Sequence, residues 1–196
     1  MTARDPNIEQ DVRAIVRRIV DGLLGEDAAE ESPANDDVAS VVTIAVGGDH
    51  GGFALKERLA YKLRESGYSV TDCGTDSTDA VDYPDIAAAV AGQVQSGQAD
   101  VGIVVDGAGI GSAMAANKIE GVRAAMCYDV STARNAREHN HANVLTLGAG
   151  MIGDALAWQI TREFLATPFG GDRHARRVRK IADLERSQLE RSQGER

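Results

Sequence analysis

What most constrains this chain is an alternation that begins at Val41. Five short apolar, β-branched runs, VVTIAV, YSVTDC, DVGIVV, VRAAMC and NVLTLGA, are separated by longer stretches with helical spacing. Strands joined through helices pair parallel, and a parallel sheet must be covered on both faces, so its strands read as continuous apolar runs. The alternation therefore predicts a Rossmann-like, doubly wound α/β fold: about five parallel strands in an α/β/α sandwich, over residues 41–168. The helices read well. FALKERLAYKLRESG carries Leu55, Leu59 and Leu63 on one stripe and stops at Gly67, while YPDIAAAVAGQVQSG has Pro84 in its first turn and stops at Gly97. DVSTARNAREHN and GDALAWQITREFLA supply two more. Ligands of such sheets bind beyond the carboxyl ends of the strands. Functional polar residues are expected to collect there: Asp49 and His50 after the first strand, Asp106 and its glycines after the third, His139 and Asn140 just before the fifth.

Charge and cysteine content narrow the function classes. The 196 residues carry a net charge of −9, so neither a nucleic-acid nor a membrane partner is expected, and an anionic ligand must be met by a local basic cluster. Two cysteines, Cys73 and Cys127, offer neither a disulfide framework nor a zinc pattern and read as small buried hydrophobes. No apolar run approaches the ~18 residues that span a bilayer, and the N-terminus lacks the features of a secretory signal. A cytoplasmic protein is expected.

Two segments stand outside the alternation. In residues 1–25, Ile8, Val12, Ile15, Val16, Ile19, Leu23 and Leu24 share one helical face while Glu9, Asp11, Arg13, Arg17 and Arg18 avoid it. Residues 26–40 are acidic, without a basic or aromatic side chain in EDAAEESPANDDVA, the composition of a solvated linker. The α/β domain is drawn at 41–184, and 185–196, with ERSQ repeated, reads as a helical tail.

Four groupings carry chemistry. GGDHGG, Gly47 to Gly52, lets backbone N–H groups approach a ligand, but it lacks dinucleotide-binding spacing, and Asp49 would repel a pyrophosphate even though Asp72 imitates a ribose-binding acid. No Walker pattern surrounds Lys118. DGAGIGSA places Gly107, Gly109 and Gly111 before a helix start, a nest for an oxyanion or a phosphate, with Asp106 at its mouth. In REHNHAN, His139 and His141 lie two apart and point different ways on a helix, which suits one acid–base imidazole and no metal site. GGDRHARRVRK concentrates Arg173, His174, Arg176, Arg177, Arg179 and Lys180 in an acidic protein, as a phosphate clamp or as a solvated helix face.

In this order the groupings resemble ribose-5-phosphate isomerase type B, the family shared with the subunits of galactose-6-phosphate isomerase. GGDHGGFALK, GTDSTDAVDYPD, GAGIG…AANK, REHNHANVLTLGA and GGDRHARRV carry the resemblance over about residues 42–184. It implies a homodimer, or a tetramer, with active sites between subunits that isomerise a phosphorylated sugar without metal or nucleotide. It implies that Asp49, His50 and Tyr83 line the sugar, His139 opens the ring, Asn140 holds sugar oxygens, and Arg173 and Arg177 bind phosphate. The nest at Gly107, Gly109 and Gly111 would stabilise the enediolate. At Asp106 many members carry a cysteine base, with Thr or Ser two residues on where this chain has Ala108; others place a glutamate at the position of Ser112. Asp106 is expected to replace the missing base at C2. The competing expectation is a non-catalytic or partner-dependent subunit, or an isomerase of another sugar phosphate. Residues 7–25 and their linker resemble the encapsulation peptides of bacterial microcompartments, which implies a shell-protein partner and a place in the compartment lumen.

Overall fold

The computed structural model describes residues 42–194; the amphipathic segment and acidic linker expected within residues 1–40 lie outside them. Strands β1 (Thr43–Gly48), β2 (Ser69–Asp72), β3 (Val101–Asp106), β4 (Ala124–Met126) and β5 (Val144–Gly148) form one sheet, all parallel, in the order β2-β1-β3-β5-β4. The helices are α1 (Phe53–Glu65), α2 (Tyr83–Gln95), α3 (Ile110–Ala116), α4 (Val130–Asn140), α5 (Asp154–Ala166) and α6 (Asp172–Gly194). The doubly wound reading holds, and α6 runs unbroken through residue 185. Among the described residues no helix is long and apolar enough to cross a membrane.

Periodicity two divides the strands between two cores. Ile44, Val46, Ile103, Val105, Leu145 and Leu147 face one side and meet Leu55, Leu59 and Leu63 of α1, Ala133 and Ala136 of α4, and Ile160 and Phe164 of α5. Ala45, Val104 and Val144 face the other, against Ala87, Val90 and Ala91 of α2. Each fully buried Leu, Ile or Phe contributes roughly 1.5–3 kcal/mol. Helix α4 begins with a capping box, Asp129 accepting from the Thr132 N–H at 2.8 Å while Thr132 Oγ1 faces the Asp129 N–H.

One expectation is corrected here. His139 and Asn140 do not join the carboxyl ends of the strands. Helix α4 runs back against the strand direction, so its last residues arrive where β5 starts. Val144 lies level with Gly102, near the beginning of β3, whereas Asp106 lies level with Gly148 at its end. Four residues of strand, about 13 Å, separate those levels. The site residues therefore form two groups, at opposite ends of one sheet.

Candidate active site

The first group sits at the switch point, where the chain turns from β1 toward β2 on one side and β3 on the other. Asp49 follows β1 and is 8% exposed; its N–H donates to the Val105 carbonyl at 3.1 Å, and its Oδ1 accepts from the Gly52 N–H at 2.8 Å. Oδ2 has no donor among the described residues. Residue 52 has to be glycine, since a Cβ there would lie 2.0 Å from the Val105 carbonyl oxygen. That close approach brings the two loops together. His50 is exposed, its Nδ1 accepting from the Val81 N–H at 3.4 Å, and Tyr83 lays its ring on Gly111, where a Cβ would be 2.5 Å from a ring carbon.

Asp106 lies where the spacing put it, yet it faces inward. It is 4% exposed. Its Oδ1 accepts from the N–H groups of Ala108 at 2.7 Å and Gly109, and its Oδ2 from the Ser112 N–H at 3.1 Å and the Ser112 hydroxyl. Gly109, at φ +78°, caps α3 in a conformation that a side chain would strain. The Tyr128 hydroxyl donates to the Ala108 carbonyl at 2.7 Å and Thr146 Oγ1 to that of Gly109 at 2.8 Å, pinning the loop from behind. The nest is thus partly filled by the protein's own carboxylate, which is a correction for Gly109. The N–H groups of Gly107 and Gly111 have no acceptor among the described residues and stay open to a ligand.

Lys56, not singled out from the sequence, supports this end. It is 1% exposed, with Nζ 2.8 Å from Asp72 Oδ2, 2.8 Å from the Thr75 carbonyl and 2.7 Å from Glu57. Burial alone would lower its pKa, but hydrogen bonds to Asp72 and Glu57 outweigh it and hold the ammonium above its ordinary 10.5. Asp72 is therefore spoken for, and does not wait for a ribose. The nearby Cys73 thiol is pushed up by burial and by Asp72, and burial raises the Cys127 thiol to about 11, so both are poor nucleophiles at neutral pH.

The second group gathers where α4 ends and α6 begins. The Gly170 N–H donates to the Glu138 carbonyl at 2.9 Å, which sets the two helix ends side by side. His139 stacks on His174 with ring centroids 4.3 Å apart and planes 3° from parallel. His174 is buried, and its Nδ1 has no hydrogen-bond partner among the described residues. Burial, then His139, Arg173 and Arg177, hold its pKa below the ordinary 6.5. Arg173 Nε lies 3.3 Å from His174 Nε2, and Arg177 follows one turn on, both exposed with their forks available to an anion. His141, at φ +50°, turns away and stacks on Phe169 at 4.5 Å. Among the described residues no three His, Cys, Asp or Glu side chains gather as a metal site. Asn135 and Asn140 line a cavity of about 1150 Å³ along the free side of β4, between α4 and α6.

Residues 44–181 match the family model described as Ribose/Galactose Isomerase. The chain belongs to the ribose/galactose isomerase family. Ribose-5-phosphate isomerase B of Escherichia coli is 42% identical over 142 residues, covering 72% of this chain and 95% of that one. The solved structure of ribose-5-phosphate isomerase B from Clostridium thermocellum has a TM-score of 0.74 and 46% identity over 75% of this chain and 99% of its own. That of Mycoplasma genitalium with bound ribulose-5-phosphate has a TM-score of 0.72 and 39% identity, over 74% and 97%. Sugar-phosphate isomerase is accordingly the enzyme class of this chain. Its parallel five-stranded sheet is the fold of that family.

Proposed function

We propose that the chain interconverts ribose 5-phosphate and ribulose 5-phosphate through an enediolate, in a homodimer, alone or paired as a tetramer, whose sites each combine the switch-point end of one subunit with the α4–α6 end of the other. The observation that carries this is the separation of the two groups: about 13 Å of sheet keeps a sugar at Asp49 from reaching His139 of the same chain. A two-fold assembly supplies the missing half to each site. The relatives named for ribose 5-phosphate, and the one holding ribulose-5-phosphate, support the choice of substrate.

In this reading Arg173 and Arg177 clamp the phosphate, His139 reaches the ring oxygen, and Asn140, His50 and Tyr83 hold the sugar. The base at C2 is Asp49, whose Oδ2 is free, and not Asp106, whose two oxygens are engaged by four donors. Asp106 instead shapes the loop that aims the Gly107 and Gly111 N–H groups at the enediolate oxygen. The C2 proton is taken by Asp49 and returned to C1 while the O2 hydroxyl proton passes to O1, a balance that calls on no nucleotide or outside oxidant. Residues 7–25 are proposed to dock on a shell protein, placing the isomerase in a microcompartment lumen; residues 1–40 fused to a fluorescent protein should gather at shell assemblies, and a diffuse reporter would remove this part.

Mixing subunits tests the core of the proposal. Asp49→Asn and His139→Asn chains should each be inactive alone, and after unfolding and joint refolding should regain about a quarter of wild-type turnover, since half the dimers then hold one intact site. No recovery on mixing would overturn the shared site. The engaged Asp106 favours one rival, a sugar-phosphate-binding subunit that needs another protein. A wild-type homomer that binds ribose 5-phosphate without turning it over would select that rival.

A further inference from the structure

We infer that Asn135 is a positioning residue that fixes the neutral His139 imidazole as its Nε2–H tautomer, so that a hydrogen-bond donor points at the sugar. The inference rests on the reading of His139 as a substrate-contacting residue, but its geometry stands alone. Asn135 and His139 are four apart on α4 and share a face. Asn135 Nδ2 lies 2.8 Å from His139 Nδ1. Which amide atom faces the ring follows from a chain of forced choices. The Asn135 carbonyl can only accept, and Asn140 Nδ2 approaches it at 3.3 Å, so the NH₂ end of Asn140 lies on that side. The same NH₂ reaches the Asn135 side chain at 3.5 Å and takes Oδ1 as its acceptor. That leaves the Asn135 NH₂ turned toward His139. An amide N–H donating to Nδ1 requires a bare nitrogen there, and the ring proton of the neutral imidazole then resides on Nε2.

The other constraints on the ring agree with this orientation. Stacking on the buried His174 fixes the plane of His139. Nε2 lies 3.7 Å from the Glu138 carboxylate, too far for a hydrogen bond in the free protein, so its N–H is available to an incoming oxygen. One helical turn of sequence thus sets what the imidazole offers: a donor at a fixed angle, with neither proton nor plane left to chance.

The decisive experiment reads the tautomer itself. Long-range proton–nitrogen correlation spectra of the full-length protein, followed with rising pH until the ring nitrogens cease to shift, distinguish Nε2–H from Nδ1–H at each of the four histidines. Wild-type His139 should be Nε2–H. Asn135→Asp presents only acceptors and should switch it to Nδ1–H, while Asn135→Leu should give a mixture. The same order should appear in kcat for a ring-forming aldose phosphate, Asn135→Asp falling at least ~10-fold with KM little changed, because the phosphate clamp is untouched. His139 found as Nδ1–H in the wild type would overturn the inference, as would a tautomer switch that leaves kcat unaltered. A wild type that is Nε2–H yet inactive on every phosphorylated sugar would sink the proposed reaction and leave the tautomer assignment intact.

Discussion

The two ends of this sheet hold their chemistry in opposite ways. At the switch point the functional carboxylates are gripped by backbone: Asp106 by three N–H groups and a hydroxyl of its own loop, Asp49 by a turn that only glycine permits. At the far end, side chains of two helices hold one another, an imidazole stacked on an imidazole and an amide against its edge. Backbone gives rigidity and leaves little to titrate. Side chains give groups whose state depends on pH and on single substitutions. The difference teaches that damage to the backbone-held loops should register as lost folding, and damage to side chains that face a ligand as altered chemistry.

Five substitutions break or sharpen that contrast. The largest effect is expected from Gly52→Ala, because a Cβ 2.0 Å from a backbone oxygen must push β1 from β3. Urea unfolding should show a loss of about 4 kcal/mol or more, or no folded protein; near-native stability would mean that the two loops are not in contact. Next comes Lys56→Met, which removes the ammonium shared by Asp72 and the Thr75 carbonyl at a cost of about 3 kcal/mol. Since the folded pKa lies above the ordinary 10.5, the wild type keeps this contribution below that pH and loses it as pH rises through the folded value. The mutant should lack that alkaline limb of the stability curve.

The pair Asp106→Asn and Asp49→Asn separates anchoring from catalysis. Asparagine at 106 turns an NH₂ toward the Ser112 N–H and should cost about 1–3 kcal/mol of stability. Asparagine at 49 should leave the melting point nearly unchanged while turnover drops ~10²-fold. The reverse outcome would return the base to Asp106. The smallest effect belongs to His174→Phe. With a folded pKa below 6.5, His174 stays neutral where the unfolded chain takes up a proton, so stability is full above that pH and declines as pH falls through it. Phenylalanine should flatten this acid slope, leaving the share of His141, which burial also depresses. An unchanged slope would place the sensitivity elsewhere.

Much of the fold was legible because central strands buried on both faces leave an unmistakable signature: β3 and β5 are buried at every position. The Leu55, Leu59 and Leu63 stripe was legible for a different reason, the spacing of four that marks one buried face of a helix. Strand order was not, since β5 enters between β3 and β4 without any mark in its own residues. The position of His139 was misjudged although the information was present: a residue just before a parallel strand must lie at its amino end. Asn135 carried a signal too, its spacing of four from His139, and nothing in its chemistry distinguishes it until the ring is seen beside it. Asp106 was found by place and misread in orientation, because a carboxylate before three small residues can either face a ligand or cap its own helix, and only the loop's geometry chooses.

The strand order also bears on how the chain comes into being. β4 pairs with β5 and with no other strand, and β5 follows it. Synthesis delivers the amino-terminal residues first, so β2, β1 and β3 can pair as soon as they exist, while β4 must wait without a partner beside a half-built sheet whose β3 edge is bare. Between the emergence of β4 and that of β5 the chain therefore carries two unpaired edges, and the arrival of Val144–Gly148 closes both in a single event.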